Sequence, residues 1–460
     1  MSDVLKPIGG NAYRGKEPIE GVFVDPIGKH LVVGQRDQSK RSGASIFLGK
    51  VGERVPSTEY FDYNVWLDAE FPHVVFVAGK RGSGKSYDLG IMLEGLSAID
   101  GNFSVRPPGF SSVLFDLQSQ FWALGGNLNG QLGSDVAQVE KLAKWNVKGT
   151  IEPPVLFLPV GSNPITGTER PMTVPPSSLE LEDWLSLLGT KRFEAMGQAI
   201  ATCRQVAVRT KPNFEISDLI AILQRPQQFQ DLATFQQSTF DAVLWRLMAL
   251  DETGLFKSGQ SVLDDILTPD RCSIILMRDL PEDLKAVTVA VLMRQIERAM
   301  SRHHQQRKVA ARVGGPEDRS KPSRMWVMID EAHLVCPASD KTSANEVIVD
   351  YVKRGRDAGL SLVLATQQPS AIDAAAISQV DVTILHKLTI DADIAAATAR
   401  LPAPLPSSTR VREKDISDPK LLVRELAPGE ALISDSEASR TFVLRLRPRV
   451  SPHGGGEPLL

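Results

Sequence analysis

One stretch constrains the fold of this chain more than any other: Gly79-Lys80-Arg81-Gly82-Ser83-Gly84-Lys85-Ser86. It follows the apolar run His73-Val74-Val75-Phe76-Val77-Ala78 and precedes a segment in which Leu89, Met92, Leu93 and Leu96 share one helical face. Strand, G-x-x-x-x-G-K-S and helix, in that order, is the context of a phosphate-binding loop. Its glycines let the backbone wrap a phosphate with N–H groups pointing inward, and the helix behind adds its positive end. In such a loop Lys85 reaches the β- and γ-phosphates and Ser86 ligates Mg²⁺. The candidate nucleotide contacts are Gly79, Arg81, Gly82, Ser83, Gly84, Lys85, Ser86 and Tyr87.

A chain of 460 residues can bury a large core and form several structural units. Its net charge of −3 leaves no global basic surplus, so any contact with nucleic acid has to come from a local patch. No apolar run reaches the length of a membrane span, and the first residues do not read as a signal peptide. Cys203, Cys272 and Cys336 are scattered without metal or disulfide spacing, which fits a reduced, cytoplasmic compartment.

The pattern along the chain is α/β. Residues 1–60 are rich in Gly, Pro and short alternating runs, and are expected to form a small β-barrel or sheet. A nucleotide-binding core is expected over 61–430. Ser112–Leu117 is a second strand, ending in Asp116, and Pro153–Val160 a third, which Pro159 places at an edge or keeps very short. Helical periodicity from Leu179 to Leu250 marks a helical insertion at about 165–265. Strand material returns at Cys272–Met277, and a long helix follows Pro281. The polar segment 302–324 reads as a solvated loop or a DNA-facing one. Residues 431–460 form a hairpin with a basic edge (Arg445, Arg447, Arg449) and a tail.

The second strong signal is Met325-Trp326-Val327-Met328-Ile329-Asp330-Glu331-Ala332-His333, an apolar strand ending in two acids. In P-loop ATPases a first carboxylate here holds the magnesium ion and the next polarises the attacking water. These roles go to Asp330 and Glu331. A hydrolysing ATPase is favoured over a nucleotide switch, with ATP and Mg²⁺ as the expected ligands. His333 is expected to pack or hydrogen-bond. Further on, Leu360–Ala365 ends in Thr366-Gln367-Gln368-Pro369, and Gln367 is the candidate γ-phosphate sensor. Arg354 and Arg356, at the end of the preceding helix, are candidate fingers for a neighbouring subunit's ATP.

Taken together, Gly79–Ser86, Val327–His333, Lys353–Gly359, Ala365–Pro369, Gly429–Ile433 and the Arg447 to Gly455 tail resemble the HerA-type hexameric ATPases, in the wider group that includes FtsK translocases and conjugation ATPases. The resemblance implies a RecA-like P-loop NTPase core with a helical insertion, an N-terminal β-barrel, and a hexameric ring with a central channel. It also implies ATP-driven movement on double-stranded DNA, and a partner that is a nuclease or an antiphage effector subunit. Two departures stand out. Gln120 occupies the place where the family commonly has Glu, and the N-terminal region is short for a barrel that docks partners. The leading expectation is a DNA translocase with channel charges in 302–324 or at Lys141, Lys144 and Lys148. The alternatives are a conjugation- or secretion-type ATPase and an ATP-regulated assembly scaffold for an effector protein.

Overall fold

Runs of β-branched and aromatic residues with no polar alternation form strands buried on both faces, which is the environment of a parallel sheet covered by helices. The computed structural model describes residues 23–25, 29–35, 43–52, 62–128, 133–259, 262–316, 318–403, 409–411, 414–437 and 440–454. At its centre the P-loop strand, Val74–Ala78, is wholly buried. It pairs in parallel with Leu360–Thr366 on one side and Val382–Leu385 on the other. Leu360–Thr366 pairs with the acidic strand Arg324–Ile329, and that strand with Phe110–Asp116. Cys272–Leu276, Val155–Pro159 and Arg170–Met172 complete the parallel run. Leu360–Thr366 thus lies between the P-loop strand and the acidic strand. All three end on the same rim, and the chemistry gathers there.

On the other side of Val382–Leu385 the sheet turns antiparallel. Glu430–Asp435 and Arg440–Leu446 form the expected C-terminal hairpin, and Ser45–Val51 adds to it. Asn64–Asp68 follows, then His30–Val33, which runs parallel to it, and Phe23–Asp25; with Ser104–Val105 paired to Ser45–Val51, the sheet has 15 strands among the described residues. The expected N-terminal barrel falls largely on residues outside the described set. The described strands between 23 and 51 extend the central sheet through the C-terminal hairpin. Strand Val155–Pro159 lies one place in from the edge, with Pro159 as its last residue.

The insertion is helical as its periodicity predicts. Its helices are Leu181–Leu187, Ala195–Thr210, Ile216–Gln224, Gln237–Glu252 and Leu263–Ile266. Its apolar faces do not form a bundle of their own. Trp184, Leu219, Phe240 and Leu247 belong to the same buried cluster as Val327 and Leu362 of the sheet. The other face of the sheet is covered by the P-loop helix, Lys85–Leu96, packed with the N-terminal strands and the hairpin. The helix after Pro281 runs over Glu282–Val313, so residues 302–313 are helical rather than a loop. Gly314, at φ 71°, ends it in the left-handed conformation that glycine adopts without strain.

The basic edge expected at the hairpin is the largest departure. Arg447 and Arg449 are fully buried against the P-loop helix, and between them lies Glu94, which is buried as well. Arg447 donates to Glu94 Oε2 at 2.8 Å and Arg449 to Oε1 at 3.3 Å. Phe103 and Tyr87 lie under the two guanidinium groups at 4.8 and 5.7 Å. A glutamate in the last turn of the P-loop helix, ten residues past the loop's Gly84, is therefore the anchor of the segment Arg447–Ser451.

Candidate nucleotide site

The P-loop leaves its strand at Gly79 and enters the helix at Lys85. Its arch uses conformations that suit glycine: Gly82 at φ 73° and Gly84 at φ 127°. Ser83 Oγ donates to the Lys80 carbonyl at 2.7 Å and closes the turn from within. Lys80, Arg81 and Gly82 are exposed at the crest, while Lys85 is buried and its Nζ rests 3.3 Å from the same Lys80 carbonyl. Burial lowers the Lys85 pKa, and the carboxylates of Glu331, Asp330 and Asp88 oppose that shift.

The strand order brings the acidic pair to Lys85. Asp330 is fully buried; burial and the neighbouring charges of Glu331 and Asp116 push its carboxyl up to about 7. Ser86 Oγ donates to Asp330 Oδ2 at 3.3 Å, across 244 residues of sequence. A hydroxyl beside a carboxylate, in a place crowded with negative charge, suits Mg²⁺. That ion takes one or two protein oxygens and completes its octahedron with water and phosphate. Among the described residues no group of three or more His, Cys, Asp or Glu side chains is placed to hold a metal ion.

Glu331 adopts φ 53° and ψ 46°, the left-handed region that costs a non-glycine residue energy. This turn directs the chain sharply away from the strand. The Glu331 carboxylate is gripped by Gln367, whose side-chain amide donates to Oε1 and whose backbone N–H donates to Oε2 at 3.3 Å. His333 is partly buried beside this pair. Its Nδ1 lies 3.1 Å from Thr366 Oγ1 and 3.5 Å from Glu331 Oε2, which is the hydrogen-bonding role expected of it.

The remaining candidates are distributed differently. Tyr87 keeps its backbone at the start of the helix, but its hydroxyl accepts from Arg449 N at 2.7 Å, so its side chain serves the tail. Arg356 is at the amino ends of the strands, the rim opposite the P-loop, and pairs with Asp381 at 3.2 Å. Asp381 also accepts from Val74 N at 3.0 Å, the first residue of the P-loop strand. His73 is buried between Asp68 and Asp381, at 3.7 and 3.8 Å. Burial works against its charged form, but Asp381 and Asp68 outweigh that and hold the imidazole up at about 9. Arg354 is exposed and lines a cleft of about 450 Å³ with Glu182, Arg192, Glu346 and Asp350. A finger on this rim has to act on another subunit.

Asp116 was legible only as the end of a strand. The parallel register Ile329↔Phe115 sets it beside Asp330. It is fully buried, and burial pushes its carboxyl up to about 6 against the backbone N–H groups that it accepts from. Gln120 is half-buried behind it, with its carbonyl against Gly454 of the tail.

These features coincide with what the chain is similar to. Residues 51–296, more than half of the chain, match the family model described as Helicase HerA, central domain (DUF87). Over 71 residues the chain is 35% identical to the protein named Probable helicase MJ1565 of Methanocaldococcus jannaschii, a stretch that covers 15% of this chain and 14% of that relative. Among solved structures, VirB4 of Thermoanaerobacter pseudethanolicus is similar with a TM-score of 0.54 at 12% identity, over 88% of this chain and 97% of that one. The trigonal form of the bacterial conjugative coupling protein TrwBdeltaN70 is similar with a TM-score of 0.50 at 12% identity, over 90% and 98%. At such identities the likeness is one of fold, a RecA-like P-loop NTPase sheet with helices on both faces. The family match, the P-loop and the acidic strand agree, and the chain belongs to the HerA helicase central-domain family of P-loop NTPases.

Proposed function

We propose that this protein is a ring-forming ATPase that couples hydrolysis to movement along double-stranded DNA. The observation that carries hydrolysis is the grip of Gln367 on Glu331, beside Lys85 and Asp330. In this reading Gly79, Arg81, Gly82, Ser83, Gly84 and the backbone of Tyr87 cradle the phosphates of ATP. Lys85 neutralises their charge. Ser86 and Asp330 hold Mg²⁺, which supplies charge stabilisation on the phosphate oxygens. Glu331 accepts the proton of the attacking water, and Gln367 registers whether that carboxylate faces a γ-phosphate. Arg354 or Arg356 completes the site of the next subunit in a homo-oligomer, a hexamer on the family pattern. The working division is an N-terminal β-rich region to residue 60, a core over 61–430 and a C-terminal hairpin and tail over 431–460. A nuclease or antiphage effector subunit is the expected protein partner. Among the described residues no helix is long and apolar enough to cross a membrane.

Duplex DNA needs exposed cations. Lys141 and Lys144 are exposed on the helix Gly133–Trp145, and Arg302, Lys308 and Arg312 on the distal half of the helix Glu282–Val313. Linear duplex is expected to raise steady-state ATP turnover. Replacing the three cations of the longer helix, or the two lysines, by alanine should weaken that stimulation about tenfold and flatten its salt dependence. Unchanged stimulation in both variants would remove these helices from the DNA path. Turnover that ignores duplex altogether would set the DNA reading aside in favour of a motor for another polymer or an ATP-regulated scaffold.

A further inference from the structure

Beneath the phosphate loop, alongside the Ser83 hydroxyl, lies the side chain of His386. Its ring is fully buried. A Cβ on Gly79 would come within 2.6 Å of the His386 Cβ, and one on Gly84 within 2.9 Å of its Cε1. The two glycines that begin and end the arch therefore rest on this residue. The backbone around it is bonded to the loop as well: His386 N donates to the Ala78 carbonyl at 2.8 Å, and Lys80 N to the Lys387 carbonyl at 2.9 Å.

Both ring nitrogens are anchored. Nδ1 lies 3.2 Å from the Glu430 carbonyl of the C-terminal hairpin. Nε2 lies 2.6 Å from Asp88 Oδ2, in the first turn of the P-loop helix. One imidazole thus braces four pieces at once: the loop, the helix behind it, the strand that ends at Leu385 and the hairpin.

We propose that His386, oriented by Asp88 and the Glu430 carbonyl, is a positioning residue for the nucleotide, holding the phosphate loop in the arch that receives phosphate. This rests on the reading of Gly79–Ser86 as the nucleotide site. A glycine-rich backbone has many conformations to lose on closing around an anion. A rigid ring wedged under its two ends removes that freedom before the ligand arrives, and preorganisation of this kind appears as affinity. The ring is too deep to touch the nucleotide, so its effect passes through the loop. The contact at Glu430 also ties the loop to the hairpin that leads into the Arg447 and Arg449 anchor.

The test is equilibrium binding of Mg–ADP to the full chain, followed by KM and kcat for ATP. His386→Ala empties the space under the loop and should weaken Mg–ADP binding at least about tenfold, with KM rising more than kcat falls. His386→Gln keeps an N–H within reach of Asp88 and should stay within about threefold of the parent. Asp88→Asn keeps a partner for Nε2 and should also stay within about threefold, whereas Asp88→Ala should weaken binding about fivefold. That second pair carries the test if His386→Ala does not fold. A residue that only stabilised the core would lower the unfolding midpoint and leave the affinity of the folded protein as it was. That result, or His386→Gln as impaired as His386→Ala, overturns the proposal. Wild-type protein that binds no Mg–ADP overturns the assignment of the loop itself, and is told apart by being seen before any variant is made.

Discussion

Glu331→Gln is expected to bind Mg–ATP and to turn it over about 10³-fold more slowly than the parent, the usual scale for loss of a general base. The geometry explains why shape survives while chemistry does not. Gln is isosteric with Glu and can still accept the Gln367 backbone N–H, now 3.3 Å from Oε2, through its own side-chain oxygen. The residue already occupies a left-handed turn at φ 53°, so the substitution adds no backbone strain of its own. What it removes is the basic oxygen. It also relieves Asp330, whose carboxyl is pushed up partly by the Glu331 charge. Nucleotide affinity should therefore be retained or improved. The check is a filter or fluorescence assay of nucleotide binding alongside single-turnover hydrolysis. Hydrolysis within about tenfold of the parent would move the base elsewhere, and Asp116 would be the next carboxylate to consider.

Glu94→Ala is expected to cost about 3–5 kcal/mol of stability, the scale on which removing one partner strands a buried charge. Here two guanidinium groups are stranded. Glu94 also accepts from Val450 N at 3.2 Å, from Ser451 N at 3.0 Å and from Ser451 Oγ at 2.7 Å, so five donors lose their acceptor together. The groups on Arg447, Arg449 and Ser451 have no water to turn to, because these residues and Glu94 are all buried. Glu94→Gln keeps one strong acceptor and should cost less than the alanine. The measurements are the urea midpoint and the rate at which a protease clips the C-terminal tail. A midpoint unchanged to within about 1 kcal/mol would show that the tail is held by its backbone alone. Arg449 and His453 of the tail pack beside Tyr87, the residue after the proposed Mg²⁺ ligand Ser86, so release of this segment should loosen nucleotide binding as well.

The two nucleotide-site signatures were legible because each is local. A loop that must wrap phosphate needs glycines at set positions, and a strand that must end in two acids shows them in adjacent letters. Helical periodicity in the insertion was legible for the same reason: burial recurs with the period of the helix. Two readings went astray where charge was judged by composition. Arg447 and Arg449 look like a solvated edge in the sequence, because nothing near them announces Glu94. Residues 302–313 look like a loop because they are polar, yet they continue a helix whose first half is deeply buried.

What the sequence determined by itself is the nucleotide loop, the acidic strand and the α/β class, all properties of short stretches whose backbone and side chains act together. The tertiary structure decided the rest. Strand order brought Asp116 to Asp330 and Gln367 to Glu331. The crossing of the C-terminal tail over the P-loop helix made an anchor of Glu94, and the packing of a distant strand end put His386 beneath the glycines. These are contacts between residues tens to hundreds of positions apart. A parallel sheet sets them by which strands lie side by side, and no single stretch of chain carries that information.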